Sequence, residues 1–448
     1  MTALLKGPLS RDILKLASPV FFGILSQTIF YAVDTAMLGR VGVEALAAAG
    51  LGWFIVWIFG SSLMAVEIGT QSLVARRFGE GDWEACGGLL DNTLFFSLSS
   101  GFVFSAAGYL LAPVIFPLLS DDIKIIQYGI DYLKYSFLSI FFFLIIASFR
   151  GFFDGLGQTH LFMKVAIVMN ISNIIFDYAL IFGKFGFPRL EVKGAAIASL
   201  LSSLIGAAYF VGLSLSSGFI RRFKYLNNHT TFDLPVLNSI LRLAFPAMIR
   251  VFFIMAGLTS FLWIVGQAGN AELAASNILM TLSSFTFLAG YGFAVAAATM
   301  VSQNLGKGNA EAAERYGWEA VKLGLVCMGF LGIIFILFPE IMLELFTDQT
   351  AVIDTGKNIL VLFGIIQFFD AVNLILSHAL QGAGCTKWVM KAEGLVVWLL
   401  FLPAAYILSV LLGLGLYGAW ISMFAYSLIM ALSMLWKFKA GKWKAAEI

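Results

Sequence analysis

Four ionisable side chains interrupt long apolar runs of this chain: Asp34, Asp177, Arg250 and Asp370. A charge held in the middle of a lipid-solvated helix costs about 3 kcal/mol or more, so such groups face protein or a watery cavity and mark ion, proton or substrate paths. Asn173 and Asp177 stand i, i+4 apart, which puts an amide and a carboxylate on one helical face, with Asn170 one turn earlier. Removal from water disfavours the charged form of any carboxylate, the property a proton relay needs. The chemistry expected of Asp34 and Asp177 is therefore reversible binding of a coupling ion, with an interhelical hydrogen bond as the plainer alternative. Arg250 and Asp370 fall near the middle of two later spans, where a buried ion pair between them is expected, and substrate or proton handling is the other reading. Glu67 and Glu393 lie nearer the inner ends of their spans and are expected to reach the interface. Pro19 and Pro246 remove an amide early in their helices, which permits a kink.

The elements that position these residues follow from composition. Of 448 residues, 60% are hydrophobic and 12% charged, a balance that excludes soluble enzymes, nucleic-acid binders and secreted disulfide scaffolds. Cys86, Cys327 and Cys385 form no CxxC pair, and the three histidines are scattered, so neither a disulfide framework nor a metal centre is expected. No Walker A loop, nucleotide fingerprint, HExxH or triad-like grouping occurs, which implies an energy source other than ATP and no cofactor. Twelve stretches are long and apolar enough to span a bilayer, at 13–38, 45–75, 89–114, 128–150, 161–183, 194–216, 239–266, 272–302, 314–338, 355–380, 390–411 and 417–437. The first reads as a retained span rather than a signal peptide. With the amino terminus inside, 20 of the 28 basic residues fall on the inner side, including Lys6, Arg76, Arg77, Arg150 and the cluster Arg221, Arg222 and Lys224. That bias predicts both termini in the cytoplasm of a multi-pass inner or plasma membrane protein. Two-residue alternation is absent, so the fold class is all-α rather than a β-barrel.

The chain is a duplication. Leu14-Lys-Leu-Ala-Ser-Pro19 returns as Leu241-Arg-Leu-Ala-Phe-Pro246, and Gly79-Glu-Gly-Asp-Trp-Glu84 returns as Gly306-Lys-Gly-Asn-Ala-Glu311, both at a shift of 227. Gly155-Leu-Gly157 and Gly382-Ala-Gly384 keep that register. Two six-span lobes follow, 1–220 and 239–448, joined by a cytoplasmic linker at 221–238 and related by a pseudo-twofold axis along the membrane normal. Such repeats rock against each other around a central cavity, which suits a carrier. At the same shift Asp34 corresponds to Phe261, Asp177 to Ala404, Arg250 to Gly23 and Asp370 to Phe143. None of the four charges belongs to the shared scaffold, which favours function over architecture.

The order and spacing of several motifs resemble the multidrug and toxic compound extrusion (MATE) family in its DinF-like branch. They are Pro19…Val33-Asp34-Thr35-Ala36-Met37-Leu38-Gly39, the Gly79-Glu-Gly-Asp82 turn with its repeat Gly306-Lys-Gly-Asn309, and Asn173…Asp177…Gly194-Ala-Ala-Ile-Ala-Ser199. The resemblance implies antiport, in which an entering proton or sodium ion drives out an organic, often cationic and amphipathic compound. It assigns coupling to Asp34 and Asp177 with Asn173 beside them, and a polar lining to Ser199 and Tyr132; Asn170 and Gln27 are further candidates for the cavity lining. Sodium would be held by oxygens of Asp34, Asn173, Asp177 and Ser199. Bending linked to protonation would centre on Pro19. A NorM-like cation site pairs a seventh-span Glu with a tenth-span Asp; Asp370 fits, but Ile254 stands at the Glu position. Protons are thus expected over sodium, the partners being a small organic molecule and the bilayer, with no nucleic acid and a monomeric state. The competing readings are a lipid-linked precursor flippase of the same superfamily, a membrane-embedded lipid-modifying enzyme and a passive channel.

Overall fold

The computed structural model describes residues 7–224 and 232–446. Among them are twelve helices long and apolar enough to cross a membrane, and no strand. They are α1 Pro8–Gly39, α2 Val43–Glu80, α3 Trp83–Leu118, α4 Ile123–Gly155, α5 Thr159–Phe182, α6 Glu191–Ser214, α7 Leu234–Gly266, α8 Asn270–Gly306, α9 Ala310–Leu337, α10 Thr350–Gly382, α11 Thr386–Leu411 and α12 Gly415–Lys439. Large apolar side chains such as Phe102, Leu110 and Trp436 are about two-thirds exposed, a surface that only lipid solvates without penalty. The protein is an all-α, multi-pass membrane protein.

Each helix starts and stops for a local reason, and the duplication repeats those reasons. Asp82 accepts a hydrogen bond from the Ala85 amide at 2.9 Å and caps α3; Asn309, its counterpart, accepts from Ala312 at 2.9 Å and caps α9. The residues before the caps, Gly81 and Gly308, have φ of 81° and 72°, values that only glycine adopts freely. Asp82 and Asn309 thus mark the same tight turn made twice. Two helices depart from regularity. α2 tightens at Ala65, whose amide reaches the Ser62 carbonyl. α11 widens into π turns at Val396–Phe401 and Ile407–Leu411, on either side of Pro403, whose ring has no amide to give and crowds the preceding turn.

Most of the described helices extend a few residues beyond the expected spans. α1 begins at Pro8, and α7 begins at Leu234, inside the stretch read as linker. That linker also opens as a short helix, Ser217–Phe223, in which Phe223 is buried. Lys6 and residues 225–231 of the linker lie outside the described residues.

Packing divides the chain into two compact units, and they cut it elsewhere than the two sequence repeats do. One unit is Phe22–Met248; the other takes Met1–Phe21 together with Ile249–Ile448. The cuts after Phe21 and after Met248 are 227 residues apart, the register of the duplication, and each falls two residues beyond a proline, Pro19 or Pro246. Inside the second unit Ile13, Leu16 and Ala17 are buried in one core with Phe293, Ala297 and Val321. Inside the first, Ile240 and Ala244 are fully buried, and Gly69 approaches so closely that a Cβ there would lie 2.8 Å from the Ile240 carbonyl oxygen.

Candidate functional site

The unit Phe22–Met248 holds most of the residues singled out in the sequence. α5 buries Asn173 and Asp177 on one face, and Asp177 is fully buried. Asn173 Nδ2 donates to Ser199 Oγ of α6 at 3.5 Å. The carboxylates of Asp34 and Asp177 lie close enough to act on each other's charge, and both act on the Tyr132 phenol. Tyr132, on α4, is 8% exposed and packs its ring on Gly52 of α2, where a Cβ would come within 2.5 Å. One turn earlier on α5, Asn170 Nδ2 donates to Ser26 Oγ, tying α5 to α1. Gln27 sits half-buried on α1, two turns before Asp34.

The chemistry of this cluster is written in what its oxygens lack. Asp34 Oδ1, Asn173 Oδ1 and both carboxylate oxygens of Asp177 are buried without a hydrogen-bond partner. A buried acceptor left unpaired costs about 1–3 kcal/mol, more when it is charged. Two carboxylates in one dry site repel unless a cation or proton joins them. The donors are all oxygen, which suits a proton or a hard monovalent cation and not a transition metal. Among the described residues no group of three His, Cys, Asp or Glu side chains could hold a metal ion.

Aromatic residues that the sequence reading passed over lie beside this cluster. The Tyr31 ring meets Trp53 edge-on at 6.1 Å, and Trp53 stacks on Trp57 at 5.5 Å and 11°. All three are about 40% exposed. The i, i+4 spacing of the two tryptophans on α2 was the available signal, and partly exposed aromatic faces are surfaces on which a cation can settle.

The other unit corrects an expectation. Arg250 Nε is 3.3 Å from Glu393 Oε2, so its partner is Glu393 on α11 and not Asp370. Glu393 is fully buried, with the Tyr426 hydroxyl donating to its second oxygen; it does not reach the interface. Asp370 lines the same cavity of about 140 Å³ as Arg250, Glu393, Tyr426 and Ile254. Glu67 is also buried and paired, 3.1 Å from Arg150 Nε, while Asp154 is 3.6 Å from the same nitrogen. Arg150, counted among the inner basic residues, is in fact buried, with its guanidinium 3.9 Å above the Phe162 ring. Pro19 lies within α1, in the unit that excludes Asp34.

Comparison with known proteins places this geometry. The MatE family profile matches twice, at residues 19–179 and 246–407, once in each repeat. The probable multidrug resistance protein NorM of Thermotoga maritima is 32% identical over 98% of this chain and 94% of its own. The multidrug resistance protein MdtK of Yersinia pseudotuberculosis is 26% identical over 95% of each chain. Among solved structures, an outward-facing multidrug resistance MATE transporter of the MOP superfamily superposes with a TM-score of 0.88 at 22% identity, and a MOP superfamily transporter from Pyrococcus furiosus with 0.89 at 21%, each over 98% of both chains. At that identity the structures establish the fold.

Proposed function

Because the chain belongs to the MatE family, known also as the MATE transporters, we propose that it is a secondary antiporter that exports organic, often cationic and amphipathic compounds in exchange for protons. The observation that carries this reading is the set of unpartnered buried oxygens on Asp34, Asn173 and Asp177. A proton entering from outside neutralises the cluster and lets α1 repack on α5; loss of the proton to the cytoplasm restores the charge and the affinity for a cation. The rings of Tyr31, Trp53 and Trp57 offer the organic molecule its contact surface. Pro19 leaves the Lys15 carbonyl without its helical donor, so α1 bends there at low cost. The multidrug names of its relatives support the substrate class. The motif order supports the DinF-like branch, and the basic bias of the inner segments supports a plasma membrane protein with both termini in the cytoplasm. We read it as a monomeric transporter and not as an enzyme.

Sodium is the second reading, favoured by the same four residues, since oxygens of Asp34, Asn173, Asp177 and Ser199 also suit a hard monovalent ion. Efflux of a fluorescent lipophilic cation from proteoliposomes, under a pH gradient and a sodium gradient imposed separately, tests both. Proton-driven efflux lost in Asp34→Asn and Asp177→Asn is the expected result. Efflux under sodium alone would select the second reading, and unimpaired efflux in both variants would remove the cluster from the mechanism.

A further inference from the structure

The unit that takes Ile249–Ile448 contains neither Asp34 nor Asp177, yet it has a cavity of its own, of about 140 Å³. Gln367, Asp370 and Asn373 stand three residues apart on α10, which puts one polar side chain per turn on the face that lines this cavity. Gln367 is 1% exposed, and its Nε2 donates to the Phe363 carbonyl at 3.3 Å. That bond leaves Oε1 as the free end of the amide, buried without a hydrogen-bond partner. Asn373 Oδ1 is buried and unpartnered in the same way. Arg250 and Tyr426 line the cavity too, but Arg250 faces Glu393 at 3.3 Å and the Tyr426 hydroxyl donates to the second oxygen of Glu393. Asp370, among the described residues, joins no ion pair; the Ser427 hydroxyl stands beside its carboxylate. The groups left to meet a ligand are therefore acceptors around one carboxylate. Much of the remaining wall is hydrocarbon, from Ile254, Phe287 and Met328.

We propose that this cavity is a binding site for a small primary ammonium compound with a short apolar tail. The ammonium group carries three N–H donors, one each for Asp370, Gln367 Oε1 and Asn373 Oδ1, and its charge answers that of Asp370. The carbon atoms of the tail lie against Ile254, Phe287 and Met328. A bare metal cation fits the lining less well, because the hydrocarbon wall gives it nothing in place of the water it sheds. A quaternary ammonium has the charge but no donor, so it leaves both amide oxygens unsatisfied. The volume sets the size of the compound at about six non-hydrogen atoms. Transport was assigned above to residues of the other unit, and binding here needs no gradient, so the proposal does not rest on the antiport reading.

Equilibrium binding of radiolabelled n-butylammonium to the full chain in detergent tests it, with Asp34→Asn and Asp177→Asn present throughout so that the first unit's carboxylates do not contribute. Saturable binding is expected, weakened about tenfold by Asp370→Asn and about fivefold by Gln367→Leu, as for the loss of a charged and of a neutral hydrogen bond. Ile254→Phe fills the space and leaves every charge in place, so it is expected to abolish binding even if Asp370→Asn fails to fold. Tetramethylammonium, with the same charge and the same number of carbons, is expected to compete about tenfold less well than unlabelled n-butylammonium, and sodium less well still. Absence of saturable binding, binding that survives Ile254→Phe, or equal competition by tetramethylammonium overturns the proposal. Displacement by sodium at the concentration at which n-butylammonium itself competes would overturn it in favour of an inorganic cation site.

Discussion

Arg250 and Glu393, 143 residues apart, meet with 3.3 Å between Nε and Oε2 at the edge of a cavity that also exposes Asp370. Both partners are more than nine-tenths buried, so each stands in for the water the other has lost. Arg250→Ala strands a buried carboxylate and is expected to lower stability by about 3–5 kcal/mol, whereas Arg250→Met combined with Glu393→Leu recovers most of that loss. Thermal unfolding of the purified variants in one detergent decides it. A double variant no more stable than the single one would mean that the pair holds something beyond itself.

The Asp34, Asn173 and Asp177 cluster predicts graded effects. Asn173→Ala keeps both carboxylates but removes the amide that donates to Ser199 Oγ and a buried oxygen facing the site, and is expected to slow coupled efflux by about tenfold, on the order of one buried hydrogen bond. Ser199→Thr retains the hydroxyl and should transport nearly normally; Ser199→Ala should fall between. Initial efflux rates at a fixed gradient rank the three. A ranking with Ser199→Ala below Asn173→Ala would shift the weight of the site from α5 to α6.

Trp53 and Trp57 predict a binding phenotype without a coupling phenotype. Removing one ring face from an organic cation costs about 1–2 kcal/mol. Trp53→Ala is therefore expected to raise KM for a lipophilic cation by about tenfold while the ion dependence stays as in the parent. Efflux measured against substrate concentration separates the two, and a changed ion dependence would contradict the assignment.

Arg150 joins Glu67, Asp154 and the face of Phe162. A lysine retains charge but neither the planar fork nor the stacking, so Arg150→Lys is expected to cost about 1–2 kcal/mol and Arg150→Ala about 3–5 kcal/mol. The same unfolding assay reads both. Equal losses would show that packing on Phe162, rather than charge, is what Arg150 provides.

The spans and the duplication were legible because both are written locally, in apolar lengths near that of a bilayer and in turns such as Gly81-Asp82 that recur at Gly308-Asn309 with the same backbone. Asn173 and Asp177 were legible for a similar reason, since helical spacing alone puts them on one face. Partners across the fold were not. Asp370 and Glu393 are both acids within reach of the depth of Arg250, and only the packing of α7 against α11 selects Glu393. Arg150 looked like an inner-side charge because it stands at the end of an apolar run; its partner Glu67 lies on a different helix, which no spacing reveals. The exchange at Phe21 and Met248 was invisible as well, for it breaks no helix and leaves no mark in composition.

That exchange has a consequence for how such a chain arises and how it can be divided. Two copies of a six-helix ancestor that traded the first fourteen or so residues of their opening helices would be a domain-swapped dimer, and fusing the copies turns the trade into an intramolecular one at high effective concentration. Neither half then contains its own complete core: residues 22–224 lack the strand of helix supplied by 234–248, and 249–446 lacks the one supplied by 8–21. A gene cut within 225–231 should therefore yield fragments that are degraded when made singly and are recovered together when made in one cell. Copurification of the two fragments, set against the yield of each alone, measures how far the modern transporter is still two interlocked proteins.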